Sequence, residues 1–390
     1  MTEIYFAPPR PIDMPADLVP SRAPQAFHQQ LPGYAPTPLV DSPELAALLG
    51  VGRLWLKDES SRLELPAFKI LGASWAVAYA IDEWLRQNAV APEPWRSIEQ
   101  LAQQLAPLRP LMLAAATDGN HGRAVARMAR LLGLDAHIFV PIGTAQARID
   151  ALAGEGAMVT VVDGTYDDAV AESATLAGPR CLVISDTAWP GYDTIPRQVI
   201  AGYSTIFWEI DDELAARGER QPDIVVVQMG VGALAAAVVG HYRDQRRSDC
   251  PWIIGVEPTR AACILESMKA GKMVLVPPPH DSIMAGLNCG TPSPVAWPLV
   301  STGIDAYIAI DDEYARQGMR ALANAGVVAG ETGAAGVGGM LALLAGPDSA
   351  AARATLGVGR ETHVLVIVTE GATDPAAYAT IVGPLASAQS

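Results

Sequence analysis

The segment DIVVVQMGVGALAAAVVG, residues 223–240, decides the fold. Its apolar run Ile224–Val227 has the continuous pattern of a strand buried on both faces, and the small-residue stretch after the loop Gly230, Val231, Gly232, Ala233 has the length of a helix. A strand, a glycine loop and a helix in that order make the βα unit of a parallel sheet. At such a junction, backbone donors and the helix dipole can cradle a phosphate. The same pattern resembles a dinucleotide fingerprint, because Glu257 ends the next strand where a ribose-binding acid would sit, but the third glycine is absent.

The alternation extends in both directions. Strands are expected at 53–59, 111–117, 136–141, 158–163, 181–185, 252–258, 306–312 and 363–371, with helical spacing between many of them. The first forty residues hold nine prolines, which suits an extended arm over a domain surface. With 390 residues, half of them hydrophobic, the chain can bury a large core and divide into two lobes. Their expected limits are 1–90 with 191–390 for a large lobe and 91–190 for a small one, the boundary lying near the prolines at 92 and 94.

A formal charge of −15 with no basic run argues against nucleic acid as a partner. No apolar stretch has the length of a membrane span, and the opening MTEIYFAPPRPIDMP lacks the basic start of a secretory signal, so the expected location is cytoplasmic. Cys181, Cys250, Cys263 and Cys289 form no CxxC pair, and no His, Cys and carboxylate spacing suggests a metal.

The chain has only four lysines, and one of them, Lys69, stands in the mostly apolar run LELPAFKILGASWA (63–76). An ammonium there either snorkels to water or is tuned toward a nucleophilic amine. The loop ATDGNHG (116–122) lies between a strand and a helix, where backbone N–H groups attract a carboxylate or phosphate; a turn with Gly119 at positive φ explains it equally well. A buried lysine, a phosphate-type loop and an anion loop together fit pyridoxal phosphate, the lysine forming a Schiff base and the cofactor acting as electron sink. A nicotinamide enzyme would leave Lys69 unexplained.

These segments resemble a known family. TPL (37–39), AFKILGAS (67–74), DGNHG (118–122), GVGAL (230–234) and GETGAAG (330–336) are similar to the landmarks of the fold type II pyridoxal phosphate enzymes, in order from Tyr34 to Asp374. LKDES (56–60), TYDDAV (165–170), DTAWPGY (186–192), QMGVGA (228–233), VEP (256–258), SIMAGLNCG (282–290) and TEGATD (369–374) resemble the diaminopropionate ammonia-lyases more narrowly. The resemblance implies an α/β fold of two lobes, each a mostly parallel sheet flanked by helices, with the cofactor in the cleft between them, and a homodimer. It further implies Lys69 as the Schiff-base lysine, Asn120 as partner of the cofactor's phenolic oxygen, the backbone of Gly230, Val231, Gly232 and Ala233 as the phosphate cradle, and Thr369 facing the pyridine nitrogen. His121 is expected to bond locally. Cys263 and Cys289, in or near matched motifs, are candidates to approach each other, with free thiols as the default.

Dehydratases of this superfamily usually carry a small neutral residue where this chain has Asp118. A carboxylate there would repel the substrate's own carboxylate but attract a β-ammonium, which favours 2,3-diaminopropionate over serine. Asp186, in SDTAW after a strand, is a second acid at a strand end where α/β folds place their sites, or else a cap. The expected reaction is α,β-elimination through aminoacrylate to pyruvate and ammonia, with Lys69, Asp118 and Asp186 moving the protons. The alternatives are a serine or threonine dehydratase, another β-eliminating lyase of the same fold, or a binding protein without turnover.

Overall fold

A computed structural model describes the chain except for residues 1, 9–10, 12–13, 16–17, 89–94, 96, 118, 245–249 and 384–390. Its strands are β1 (Glu3–Phe6), β2 (Leu39–Asp41), β3 (Arg53–Asp58), β4 (Met112–Ala116), β5 (Asp135–Pro141), β6 (Met158–Val162), β7 (Cys181–Val183), β8 (Ile224–Gln228), β9 (Trp252–Pro258), β10 (Ala306–Ile310) and β11 (His363–Val368). They form a seven-stranded sheet in the order β1-β10-β9-β8-β11-β3-β2 and a four-stranded sheet in the order β6-β5-β4-β7. The smaller sheet is parallel throughout. In the larger one, β10, β9, β8, β11 and β3 run parallel, and the short edge strands β1 and β2 run antiparallel.

Every strand expected from the apolar runs is present to within a few residues. β8 is buried along its whole length, as a strand covered on both faces must be; each fully buried Val or Ile there contributes roughly 1.5–3 kcal/mol. β1 and β2 are additions. The proline-rich start reads as an arm, yet it holds β1 ahead of Pro8 and leads into β2 between Pro38 and Pro43, both short and placed at sheet edges, where a missing N–H is tolerated.

The chain separates into two compact units, one of Met1–Pro20, Pro36–Ser61 and Ile206–Ser390, the other of Ser21–Ala35 and Arg62–Thr205. These limits differ from the expected lobes: residues 21–35, 62–88 and 191–205 belong with the four-stranded sheet. Tertiary packing accounts for the difference, because the helix Lys69–Gln87 packs on the helix Asn120–Leu132 of that unit. Among the described residues, no helix is long and apolar enough to cross a membrane, and no group of three or more His, Cys, Asp and Glu could hold a metal ion.

Candidate active site

In the unit of the four-stranded sheet, Lys69 opens the helix Lys69–Gln87. The start of this helix is tied down in two ways. Its Gly72 meets the helix Thr194–Arg217 at Gly202 so closely that a Cβ on Gly72 would sit 2.5 Å from the Tyr203 ring, and one on Gly202 would sit 2.5 Å from Leu71 O. The buried His28 ring donates from Nε2 to Leu71 O at 2.9 Å, and its Nδ1 meets Thr205 Oγ1 at 2.8 Å. The small residues of AFKILGAS are therefore a packing requirement that holds the lysine in place.

Lys69 Nζ donates to Asp186 Oδ2 at 2.7 Å and lies 5.6 Å from the centroid of the Phe68 ring. The Tyr166 hydroxyl donates to the other oxygen, Oδ1, at 2.8 Å. The side chains are 20% exposed for Lys69 and 6% for Asp186, so the amine remains reachable while its acid is nearly enclosed. Burial acts to raise the Asp186 carboxyl. The Lys69 charge, His121 and the hydrogen bonds from Lys69 and Tyr166 outweigh it and hold the group well below the usual carboxylate range. Lys57 provides a contrast: it is fully buried, and its Nζ is taken by Glu209 at 2.7 Å and Thr37 O at 2.8 Å, a closed structural pair.

Asp186 stands on a braced turn. The Tyr192 hydroxyl donates to Val183 O at 2.6 Å and accepts the Ser185 N–H at 3.1 Å, while the Trp189 and Tyr192 rings stack at 4.0 Å. Burial pushes the Tyr192 hydroxyl up, so it stays protonated and keeps this role. His121 Nε2 meets Ile184 O at 2.8 Å; a carbonyl only accepts, so Nε2 carries the proton, and the local bond expected of His121 is present.

The loop between β4 and the helix Asn120–Leu132 is held by Thr117, whose hydroxyl accepts the N–H groups of Gly119 at 2.8 Å and Gly122 at 3.0 Å. Gly119 has φ +147°, a conformation that a side chain would strain. Asn120 is the first residue of that helix and is half-buried. Asp118 lies outside the described residues.

In the other unit, β8 leads through Gly230–Gly232 to the wholly buried helix Ala233–Tyr242. Gly232 caps this helix in the left-handed region at φ +96°, which turns the chain directly into the helix N-terminus. A Cβ on Gly230 would come 3.1 Å from both Cys289 Sγ and Gly286 O. Cys263 Sγ lies 3.7 Å from Gly230 O, so both thiols border this glycine, and neither is in a disulfide. Thr369, just past β11, is 2% exposed, and its Oγ1 receives Gln228 Nε2 at 2.7 Å. Glu257 is not a ligand-facing acid. It is fully buried, its two oxygens accept the N–H groups of Ile264 and Leu265 at 2.8 Å each, and burial pushes it up to about 8.

One unit thus presents a reachable amine paired with a buried acid, and the other a glycine loop at a helix N-terminus. The chain belongs to the pyridoxal-phosphate-dependent enzyme family, which matches residues 30–370. It is 38% identical over 362 residues to the diaminopropionate ammonia-lyase of Escherichia coli K12, covering 91% of this chain and 89% of that one. The holo structure of the Escherichia coli enzyme, with selenomethionine incorporated, superposes with a TM-score of 0.89 at 36% identity, covering 98% of this chain and 96% of that one. The structure of the same enzyme in complex with an aminoacrylate-PLP azomethine reaction intermediate gives 0.87 at 35% identity, covering 98% and 97%.

Tyr166 and Gln228 are the residues that the sequence did not single out for a role. Each stands inside a quoted motif, TYDDAV or QMGVGA, but the partner that gives it meaning is 20 or 141 positions away.

Proposed function

We propose that the chain is a pyridoxal-phosphate-dependent ammonia-lyase that eliminates the β-amine of 2,3-diaminopropionate, yielding pyruvate and ammonia. The observation that carries this reading is the 2.7 Å contact of Lys69 Nζ with Asp186, whose second oxygen is held by Tyr166.

The residues fit the cofactor. Lys69 supplies the primary amine for the imine, and Asn120 an amide for the phenolic oxygen. The backbone of Gly230, Val231, Gly232 and Ala233 takes the phosphate at a helix N-terminus. Thr369 brings a neutral hydroxyl to the pyridine nitrogen; among the described residues this buried hydroxyl receives a hydrogen bond from Gln228 but has no acceptor for its own proton. When bound, pyridoxal phosphate supplies the electron sink for the pair left at Cα.

The protein's own groups move the protons. Lys69 removes the Cα proton on one face; on the opposite face, Asp118 would be the base for a D-isomer substrate. The β-amine leaves as ammonia once protonated by Asp118 or Asp186. Asp186 suits that task because neighbouring charges and hydrogen bonds hold its proton off; once Lys69 loses its charge, the strongest of these is gone and the buried carboxyl takes a proton more readily. Aminoacrylate is then released and takes up water to give pyruvate and a second ammonia. A homodimer in the cytoplasm is part of this proposal.

Asp118 carries the choice of substrate, through attraction of the β-ammonium. At about 4 Å and an effective permittivity near 20 the pair is worth up to about 4 kcal/mol. Asp118→Ser is expected to lower kcat/KM for 2,3-diaminopropionate on the order of a hundredfold, and that for serine by less than about threefold. Pyruvate formation from each substrate measures this. Equal losses on the two substrates would count against the electrostatic assignment.

A further inference from the structure

Gln228 ends β8 and is 3% exposed. Its Nε2 lies within hydrogen-bond distance of four oxygens: Thr369 Oγ1 at 2.7 Å, Thr332 O and Ile367 O at 3.1 Å, and Gly333 O at 3.4 Å. Three of these are backbone carbonyls, which only accept. The amide is therefore oriented by its surroundings, with nitrogen toward the cluster, and the choice of rotamer is not ambiguous. Among the described residues its buried Oε1 has no hydrogen-bond partner, and it faces Gly336, where an added Cβ would approach to 3.3 Å. The shortest of the four contacts is the one to the Thr369 hydroxyl.

A hydroxyl has one proton and two lone pairs. One lone pair of Thr369 is engaged by an obligate donor, and no acceptor among the described residues takes its O–H, so that proton is available to a ligand. We propose that Gln228 is a positioning residue that fixes Thr369 as a hydrogen-bond donor to the cofactor's ring nitrogen, so that this nitrogen stays unprotonated. This inference rests on the reading that Thr369 faces the pyridine nitrogen. Gln228 touches no reacting atom. It acts by setting which way the Thr369 hydroxyl points its proton, and by joining that hydroxyl to Thr332 and Gly333 of the GETGAAG segment and to β11 in one buried cluster.

The test uses the holoenzyme and reads the cofactor itself, through the 15N resonance of pyridoxal phosphate labelled at the ring nitrogen and through the cofactor's dissociation constant. In the natural protein the resonance should be that of an unprotonated pyridine. Gln228→Met and Thr369→Val should each weaken cofactor binding roughly threefold to tenfold, and Thr369→Ser should restore it. The double variant Q228M/T369V should bind no worse than T369V, since the two changes remove one shared device. Additive losses would overturn the inference, as would a Q228M protein with the natural resonance and affinity. T369V with unchanged resonance and affinity would instead overturn the reading of Thr369, and the inference with it. If Q228M does not fold, the shorter apolar Gln228→Leu replaces it, which also leaves the Thr369 lone pair without its donor. Natural resonance and affinity in Q228L would likewise overturn the inference.

Discussion

Lys69→Ala is expected to lower kcat/KM for 2,3-diaminopropionate by more than about 10⁴-fold. The change removes two functions at once, the amine that forms the imine with the cofactor and the base that takes the Cα proton; proton transfer alone is worth about 10²–10⁴-fold. It also removes the charge that most opposes burial at Asp186, which lies 2.7 Å away. The carboxyl of the variant should then hold its proton to higher pH than in the natural protein. Pyruvate formation under saturating cofactor measures the loss, and the visible band of the lysine-bound cofactor should vanish with it. A Lys69→Ala protein with full activity would remove Lys69 from the chemistry.

Asp186→Asn is expected to cost about 10²–10³-fold in kcat, with a smaller change in KM, because the residue acts on protons in transit more than on substrate binding. The natural carboxylate accepts from Lys69 at one oxygen and from Tyr166 at the other. Asparagine has a single oxygen for these two donors and presents an N–H₂ to whichever loses, so the lysine is no longer held by an anion, and no carboxylic acid is available to the departing amine. The turn itself should survive, since the Tyr192 bonds to Val183 and Ser185 do not involve the Asp186 side chain. Steady-state kinetics decide the matter: a kcat within about threefold of the natural value would leave Asp186 as a structural cap.

How much of this was legible in the sequence follows from the range of each interaction. The buried strands were, since a doubly covered strand must be apolar along its length, and so was the glycine loop after β8, since its conformation demands particular residues. Lys69 stood out because an ammonium in an apolar run needs an explanation, and its pairing with Asp186 is the structural one. The short strands β1 and β2 were hidden because one lies just ahead of the prolines and the other between Pro38 and Pro43. The unit boundary was misplaced because prolines mark local breaks, while the packing of the Lys69–Gln87 helix on the Asn120–Leu132 helix joins positions about fifty residues apart. Tyr166 and Gln228 were silent for the same reason: a tyrosine on a helix or a glutamine ending a strand means little until the chain brings Asp186 or Thr369 to it.

The most direct measurement is the visible absorption spectrum of the purified protein with pyridoxal phosphate, recorded before and after adding L-2,3-diaminopropionate, with pyruvate assayed in the same cuvette. A lysine-bound cofactor band that changes on addition while pyruvate accumulates is expected. A band that ignores this substrate, or the absence of any band after the cofactor is supplied, would contradict it.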